Sequence, residues 1–381
     1  MNDMYLLHIV ENLAGSHGGS TSAAFAIANL PCRRLRPMIL GLDFGGKITS
    51  YVSPDLVVKR VTARPGKLGK FLGMVKLVSW VIFNRHRIGV IEFHNVFNPL
   101  FLVGGAISIL LSIPVVLNPH NSLDEWDLRK RYWLKRLIGY LHLGSLLSSC
   151  ALVRCATRRE QQRLVSFGYK TRITWALLPI AVESGVHTSQ MVKGPGLRVL
   201  FCSRIDRKKR VDLILRAVSI TIQRGTRVEL TVAGTGDTDY MAEMFKLADN
   251  LGIGTLVQWV GFVSGVEKSK QFQCADVFIL PSLYENFGIV VIEAICNGLR
   301  PVLTPNVFIA DHLPVDCRAL IISDVEGLVK VLEDVNLDRA LGRLPPSATE
   351  SVRDLLFGGA GAERILGLYD GLLDEVQKET I

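Results

Sequence analysis

Two carboxylates, Glu285 and Glu293, stand eight residues apart within residues 274–298, and their surroundings limit what chemistry they can do. Residues 277–280 form a short, wholly apolar run halted by Pro281-Ser282, the pattern of a buried strand meeting a loop. Residues 287–295 are apolar almost all round and stop before Gly298, the pattern of a buried helix. Glu293 interrupts that helix, and a carboxylate among apolar neighbours is costly to bury unless something bonds to it. Gly288 lets a ligand approach the backbone, and the free N–H groups of a helix start attract anions, phosphate above all. The stretch therefore reads as a phosphate site flanked by two carboxylates.

Cations for such an anion lie about 80 residues earlier, in Ser203-Arg204-Ile205-Asp206-Arg207-Lys208-Lys209-Arg210. A basic run after a strand is often no more than a solvated loop. At the ligand-binding edge of a sheet, Arg204 could bond a diphosphate in bidentate fashion while Lys209 acts as a point charge. In the first half, Gly15-x-x-Gly18-Gly19 follows an apolar run. By itself it is a tight turn and not the full dinucleotide fingerprint; its functional reading is a loop that lets diphosphate or acceptor come close. His94-Asn95 and Pro119-His120-Asn121 close two further apolar runs. A lone histidine is more often structural, but the place of His120 just after a strand favours contact with a ligand.

The elements that must position these residues alternate. Apolar runs at 6–10, 38–42, 89–93, 114–117 and 151–155 are separated by helical periodicity, and so are runs at 199–202, 228–233, 256–263 and 277–280. Strands separated by helices imply βαβ units and parallel sheets, which bind ligands outside the carboxyl ends of their strands. Residues 100–117 are too interrupted by proline for the roughly 20 apolar residues of a membrane span, and are expected to be a buried helix and strand. Polar, Gly/Pro-containing sequence around 183–196 reads as a linker. The expected organisation is a first domain at 1–185, a linker at 186–196, a second domain at 197–350 and a final helical segment at 351–381.

Composition narrows the class. With 381 residues, 49% apolar and 21% charged, the chain is long enough for two globular domains. Seven scattered cysteines without metal-ligand spacing point to reduced thiols and a cytoplasmic protein, and the N-terminus has no basic region of the secretory kind. Charge is uneven: residues 1–190 hold 23 Lys+Arg against 10 Asp+Glu, and the remainder 21 against 25. Much of the excess sits on two stretches, 67–83 and 126–146, that mix Lys and Arg with large apolar residues. Each is either a core-facing helix with a solvated face or a helix for an anionic membrane surface. No recognition motif for nucleic acid accompanies them.

Several segments together resemble the retaining, GT-B-fold glycosyltransferases of the large family four (group 1). Glu285-Asn286-Phe287-Gly288-x(4)-Glu293 is similar to that family's E-x7-E signature. Pro119-His120-Asn121-Ser122-Leu123-Asp124-Glu125-Trp126, Ala156-Thr157-Arg158-Arg159-Glu160, Ser203-Arg204 to Lys209, Ala233-Gly234-x-Gly236 and Gly261-Phe262-Val263-x-Gly265-x-Glu267-Lys268 resemble further motifs in the same order. The resemblance implies two Rossmann-like domains facing across a cleft, with the final helix crossing back onto the first domain. It implies that Glu293 holds the nucleotide ribose and that Glu285 contacts the donor sugar. The N–H groups of Asn286, Phe287 and Gly288 would hold sugar or phosphate oxygens, with Gly234 and Gly236 in the same donor site. Arg204 and Lys209 would stabilise the diphosphate leaving group without a metal, and His120 would lie near the reacting carbon. Gly18, Gly19 and His94 would border the acceptor. Departures are Asn121 and Arg210 at usual glycine positions, Arg158 at a usual serine, and Pro179-Ile180-Ala181-Val182 for Pro-Asn-Gly-Val.

The implied function is transfer of a sugar from a nucleotide-diphosphate sugar to a hydroxyl, with no cofactor beyond that donor. A basic, apolar acceptor half suggests a saccharide or polyprenyl-linked acceptor at the cytoplasmic membrane face, as in bacterial lipopolysaccharide, surface polysaccharide or glycolipid assembly. Alternatives are a non-hydrolysing nucleotide-sugar epimerase of the same fold and a catalytically silent, membrane-associated sugar-nucleotide-binding protein.

Overall fold

The computed structural model describes residues 4–14, 19–48, 50–123, 144–166, 171–179, 196–317, 319–341 and 360–379. Gly18, the linker at 186–195 and most of the basic stretch 126–146 lie outside the described residues. Contacts divide the chain into two units, Met1–Ala181 together with Leu356–Ile381, and Val182–Leu355.

The first unit holds a parallel sheet of β1 (Tyr5–Val10), β2 (Arg36–Asp43), β3 (Val57–Thr62), β4 (Ile88–His94), β5 (Val115–Asn118), β6 (Leu152–Cys155) and β7 (Ile173–Trp175). Their order, β3-β2-β1-β4-β5-β6-β7, reverses between β1 and β4, and that switch point is where such sheets leave a crevice. Every residue of β1, β4, β5 and β6 is buried. Cover on both faces removes the alternation a half-exposed strand would show. Among the described residues its helices include α1 (Gly19–Ala28), α2 (Lys67–Phe83), α3 (Ala106–Leu110), α4 (Gly144–Ser148) and α5 (Arg158–Ser166). A helical run from Phe101 through α3, followed by buried β5, meets the expectation for residues 100–117 in kind, but the helical run is only partly buried, with Val103 and Leu110 exposed. The strands that periodicity does not reveal are β3 and β7, at the two edges. Lys59 and Arg60 interrupt the apolar pattern of β3, and charge at an edge discourages pairing with another chain.

The second unit repeats the scheme with β8 (Leu197–Cys202), β9 (Val228–Ala233), β10 (Val257–Gly261), β11 (Val277–Leu280), β12 (Arg300–Leu303) and β13 (Leu320–Ile321), in the order β10-β9-β8-β11-β12-β13. Its helices are α6 (Val211–Gln223), α7 (Thr238–Asn250), α8 (Gly265–Gln273), α9 (Ile289–Cys296) and α10 (Val325–Ala340). Asp237 and Asp324 cap α7 and α10 by accepting from backbone N–H groups of their first turns. The switch point lies between β8 and β11, so the loops after these two strands open side by side.

The last described helix, α11 (Ala360–Glu379), belongs to the first unit. Ile365, Tyr369 and Leu372 bury one helical face. Arg34 reaches Asp374 at 2.7 Å and Arg172 reaches Glu375 at 3.1 Å. Among the described residues, no helix is long and apolar enough to cross a membrane.

Candidate active site

In the second unit, the loops after β8 and β11 are joined by backbone and by charge. Leu283 N–H donates to the Lys208 carbonyl at 2.8 Å. Lys209 ends a 3-10 turn, Arg207–Lys209, that Asp206 caps by accepting from Lys208 N–H. Its Nζ donates to Glu285 Oε2 in an ion pair exposed by only 10% and 21% of its two side chains. Glu285 is itself pinned: its N–H donates to the Asn306 carbonyl at 3.0 Å and its carbonyl accepts from Phe308 N–H at 2.9 Å. Burial alone would raise the Glu285 carboxyl. Lys209, with Lys208 and Arg204 behind it, outweighs burial and holds the group below the usual carboxylate range.

Glycines let these loops meet. A Cβ on Gly234 would lie 1.9 Å from the Ser203 carbonyl oxygen, and one on Gly236 would lie 1.8 Å from that of Ile205. The loop after β9 is thereby laid along 203–205, with Ser203 N–H donating to Ala233 at 3.0 Å and Ile205 N–H to Thr235 at 2.9 Å. Close backbone packing is thus a reason for Gly234 and Gly236 that needs no ligand. Gly288 caps α9 at φ 59° in the left-handed region, beside buried Asn286 and Phe287. Arg210, at a usual glycine position, takes φ 55°, which explains the usual residue.

Glu293 differs from expectation. Its helix is not closed over it: the carboxylate side chain is 23% exposed and pairs with Lys268 of α8 at 2.5 Å. Burial would lower the Lys268 ammonium, but Glu293 raises it above its ordinary value. Nothing in the sequence pairs Lys268 with Glu293; its signal is a lysine in a segment that resembles one of the family's motifs. Arg204 points into solvent, 72% exposed, with Nε 3.6 Å from Asp206. The structure therefore brings Lys209, Glu285 and Gly288 together, places Glu293 with Lys268 one turn into α9, and leaves Arg204 on the rim.

In the first unit, a cavity of about 380 Å³ opens at the carboxyl ends of β1 and β4, lined among others by Asn12, Ser20, Thr21, Lys70, His94 and Asn95. Gly19 opens α1, and a Cβ there would meet nothing within 4 Å. His94, fully buried, ends β4, and His120 follows β5. Their rings stack at 5.2 Å, with His94 Nδ1 and His120 Nε2 2.9 Å apart. Both His120 (φ 48°) and Asn121 (φ 62°) are left-handed, so the glycine usual at 121 reflects the backbone of this turn. Burial, with Arg154 adding to it, pushes His120 down to about 4, so the ring is neutral at ordinary pH.

His8, Glu92 and His94 also offer three ligand atoms within 4.8 Å of one another, a spacing a metal can use. The donor set does not fit one. Glu92 Oε1 already accepts from Arg154 at 2.7 Å and Asn118 at 2.5 Å. A dication beside that guanidinium would leave uncompensated positive charge in a fully buried place.

Residues 190–335 match the family model of glycosyl transferases group 1. The mannosylfructose-phosphate synthase of Agrobacterium fabrum is 26% identical over 303 residues, covering 71% of this chain and 66% of that protein. The alpha-monoglucosyldiacylglycerol synthase of Streptococcus pneumoniae is 24% identical over 234 residues, covering 57% and 52%. The chain thus spans roughly half to two thirds of the length of these two relatives, and 27% of a glycosyltransferase of Methanocaldococcus jannaschii that is 36% identical over 29% of this chain. Among solved structures, Anabaena HepE with UDP-glucose superposes with a TM-score of 0.73 at 17% identity, covering 98% of this chain and all of that one. WaaG, a glycosyltransferase of lipopolysaccharide biosynthesis, gives 0.69 at 16% identity, covering 96% and 100%. With two parallel Rossmann-like sheets, the chain has the GT-B fold.

Proposed function

We propose that this chain is a retaining glycosyltransferase, moving a sugar from a nucleotide-diphosphate sugar to a hydroxyl of a lipid-linked saccharide in surface polysaccharide or glycolipid biosynthesis. The observation that carries the reading is the Lys209–Glu285 pair at the switch point of the second sheet, where α9 also begins. Departure of a nucleoside diphosphate leaves negative charge on phosphate oxygens, which Lys209 and the N–H groups at the start of α9 would stabilise, with Arg204 reaching in from the rim. Glu285 then accepts hydrogen bonds from the donor sugar, and Glu293, held by Lys268, receives the ribose hydroxyls. Retention needs no covalent nucleophile if the acceptor attacks from the face the phosphate leaves, with a phosphate oxygen taking the acceptor proton. This scheme asks no metal to balance charge. The names of the relatives, which include a glycolipid synthase, support this class of reaction.

The membrane part of the reading rests on α2. Its buried side is Gly73, Leu77 and Val81. Its outer side exposes Leu68, Phe71, Leu72, Val75 and Ile82, positions that fall on one helical face, with Lys67 and Lys76 also exposed. An exposed apolar stripe with lysines suits an anionic bilayer surface.

A melting-temperature panel with UDP, GDP and ADP tests the donor site, because a ligand at 100 times its Kd stabilises by about 2.7 kcal/mol. One nucleotide is expected to raise the melting temperature in the wild type and not in Lys209→Ala; no response to any of the three contradicts the reading.

A further inference from the structure

The fully buried charge cluster of the first unit has no part in the scheme above. Glu92 sits in mid-strand on β4, with His8 of β1 as its register partner. Its Oε1 accepts from Arg154 of β6 and Asn118 of β5, and its Oε2 accepts from the hydroxyl of Tyr369 on α11. Burial alone would raise this carboxyl, but Arg154, His8, His94 and Tyr369 bring it down to about 2, so it is an anion at ordinary pH. His94 Nε2 lies 3.8 Å from Glu92 Oε1 and has no hydrogen-bond partner among the described residues, while its Nδ1 meets His120 Nε2.

Two neutral imidazoles that share one hydrogen bond have one proton in the contact, and two arrangements are possible. If His94 Nδ1 carries it, a bare Nε2 lone pair faces the Glu92 carboxylate. If His94 carries its proton on Nε2, that N–H faces the carboxylate, Nδ1 accepts from His120 Nε2–H, and His120 is left with a bare Nδ1. With the Glu92 carboxylate 3.8 Å from His94 Nε2, a proton on that nitrogen faces the anion where a lone pair would be repelled, and this favours the second arrangement.

We propose that Glu92 and His94 are positioning residues that fix His120 as its Nε2–H tautomer, so that His120 Nδ1 serves as a hydrogen-bond acceptor for a substrate sugar hydroxyl. Tyr369 and Arg154 hold Glu92 in place, which makes α11 part of the support of this histidine. The tautomer assignment stands on the geometry of the first unit; the sugar contact rests on the function proposed above.

The test uses the full chain with 15N-labelled histidine, reading tautomers by long-range 1H–15N correlation and assigning His120 from its loss in His120→Ala. The wild type is expected to show His120 protonated at Nε2. His94→Phe keeps an aromatic ring there without either nitrogen, and is expected to give a mixture of tautomers. It should also lower kcat on a nucleotide sugar at least tenfold with donor KM changed less than twofold. Tyr369→Phe, which keeps the Arg154–Glu92 pair if Glu92→Gln fails to fold, is expected to broaden the His120 signal toward a mixture. An Nδ1–H His120 in the wild type, an unchanged tautomer in His94→Phe, or zinc binding that shifts the His8 and His94 signals would each overturn the proposal. An Nε2–H signal in a protein whose turnover is unaffected by His120→Ala would overturn the sugar contact and leave the positioning intact.

Discussion

Lys209 and Glu285 neutralise each other in a partly dry loop, so removing either leaves the other charge with little solvent to replace its partner. Lys209→Ala is expected to cost about 1–3 kcal/mol of stability, between the exposed and buried limits. Turnover should fall by about 100-fold or more, the usual cost of losing one preorganised group at a developing anion. Activity within a few-fold of wild type would remove Lys209 from the mechanism. The same pair gives a pH signature. The folded-state Glu285 pKa lies below its ordinary value, so its contribution is present at neutral pH and is lost as pH falls through that folded value. The melting temperatures of wild type and Glu285→Gln should therefore differ at pH 7 and converge below the carboxylate range; a gap independent of pH would contradict the pairing. At this scale the sequence showed Glu285, Glu293 and Lys209, because a charge inside an apolar run or at a strand end stands out. It did not show Glu92 or Arg154 as partners. Each breaks an apolar strand by one residue, and only the β4-β5-β6 order brings them within 2.7 Å.

Helix α2 spans Lys67–Phe83, the same stretch of mixed Lys and large apolar residues that stands out in the sequence. Which face it buries was not legible, because apolar residues occupy both sides and only packing on the sheet chooses Leu77 and Val81. The face left outside is open to a direct test. Phe71→Glu with Leu72→Glu removes two half-exposed apolar side chains and adds two negative charges, each of which opposes an anionic surface. Flotation with anionic liposomes at low salt should show wild type bound and the double variant at least about tenfold weaker, with the same circular dichroism. Equal binding by both would place any membrane contact elsewhere. Edge strands β3 and β7 were not legible for another reason: Lys59 and Arg60 interrupt the apolar run of β3, and β7 is only three residues long.

On the scale of the molecule, the alternation of strands and helices was enough to expect two parallel sheets, while the strand orders depend on pairings between distant segments. The attachment of α11 to the first unit came from family resemblance, not from its periodicity, and the structure gives it physical content. Ile365, Tyr369 and Leu372 are buried, and the Tyr369 hydroxyl reaches Glu92, 277 residues earlier. Truncation before Ala360 would uncover the part of the first unit that this face packs against and remove one donor from a buried carboxylate. The truncated chain is expected to lose several kcal/mol and to melt at least about 10 °C lower, or to fail to fold. An unchanged melting temperature would show that the first unit does not depend on α11.

The central claim is sugar transfer from a nucleotide donor with retention, and product stereochemistry tests it most directly. The full chain would be incubated with the nucleotide sugar whose nucleotide raises its melting temperature, together with a polyprenyl-linked or glycolipid saccharide acceptor. The product would be followed by release of nucleoside diphosphate and by the anomeric coupling in 1H NMR. The account predicts acceptor-dependent release and a new glycosidic bond of the donor's own anomeric configuration. Inversion, or conversion of the nucleotide sugar without any acceptor, would contradict it.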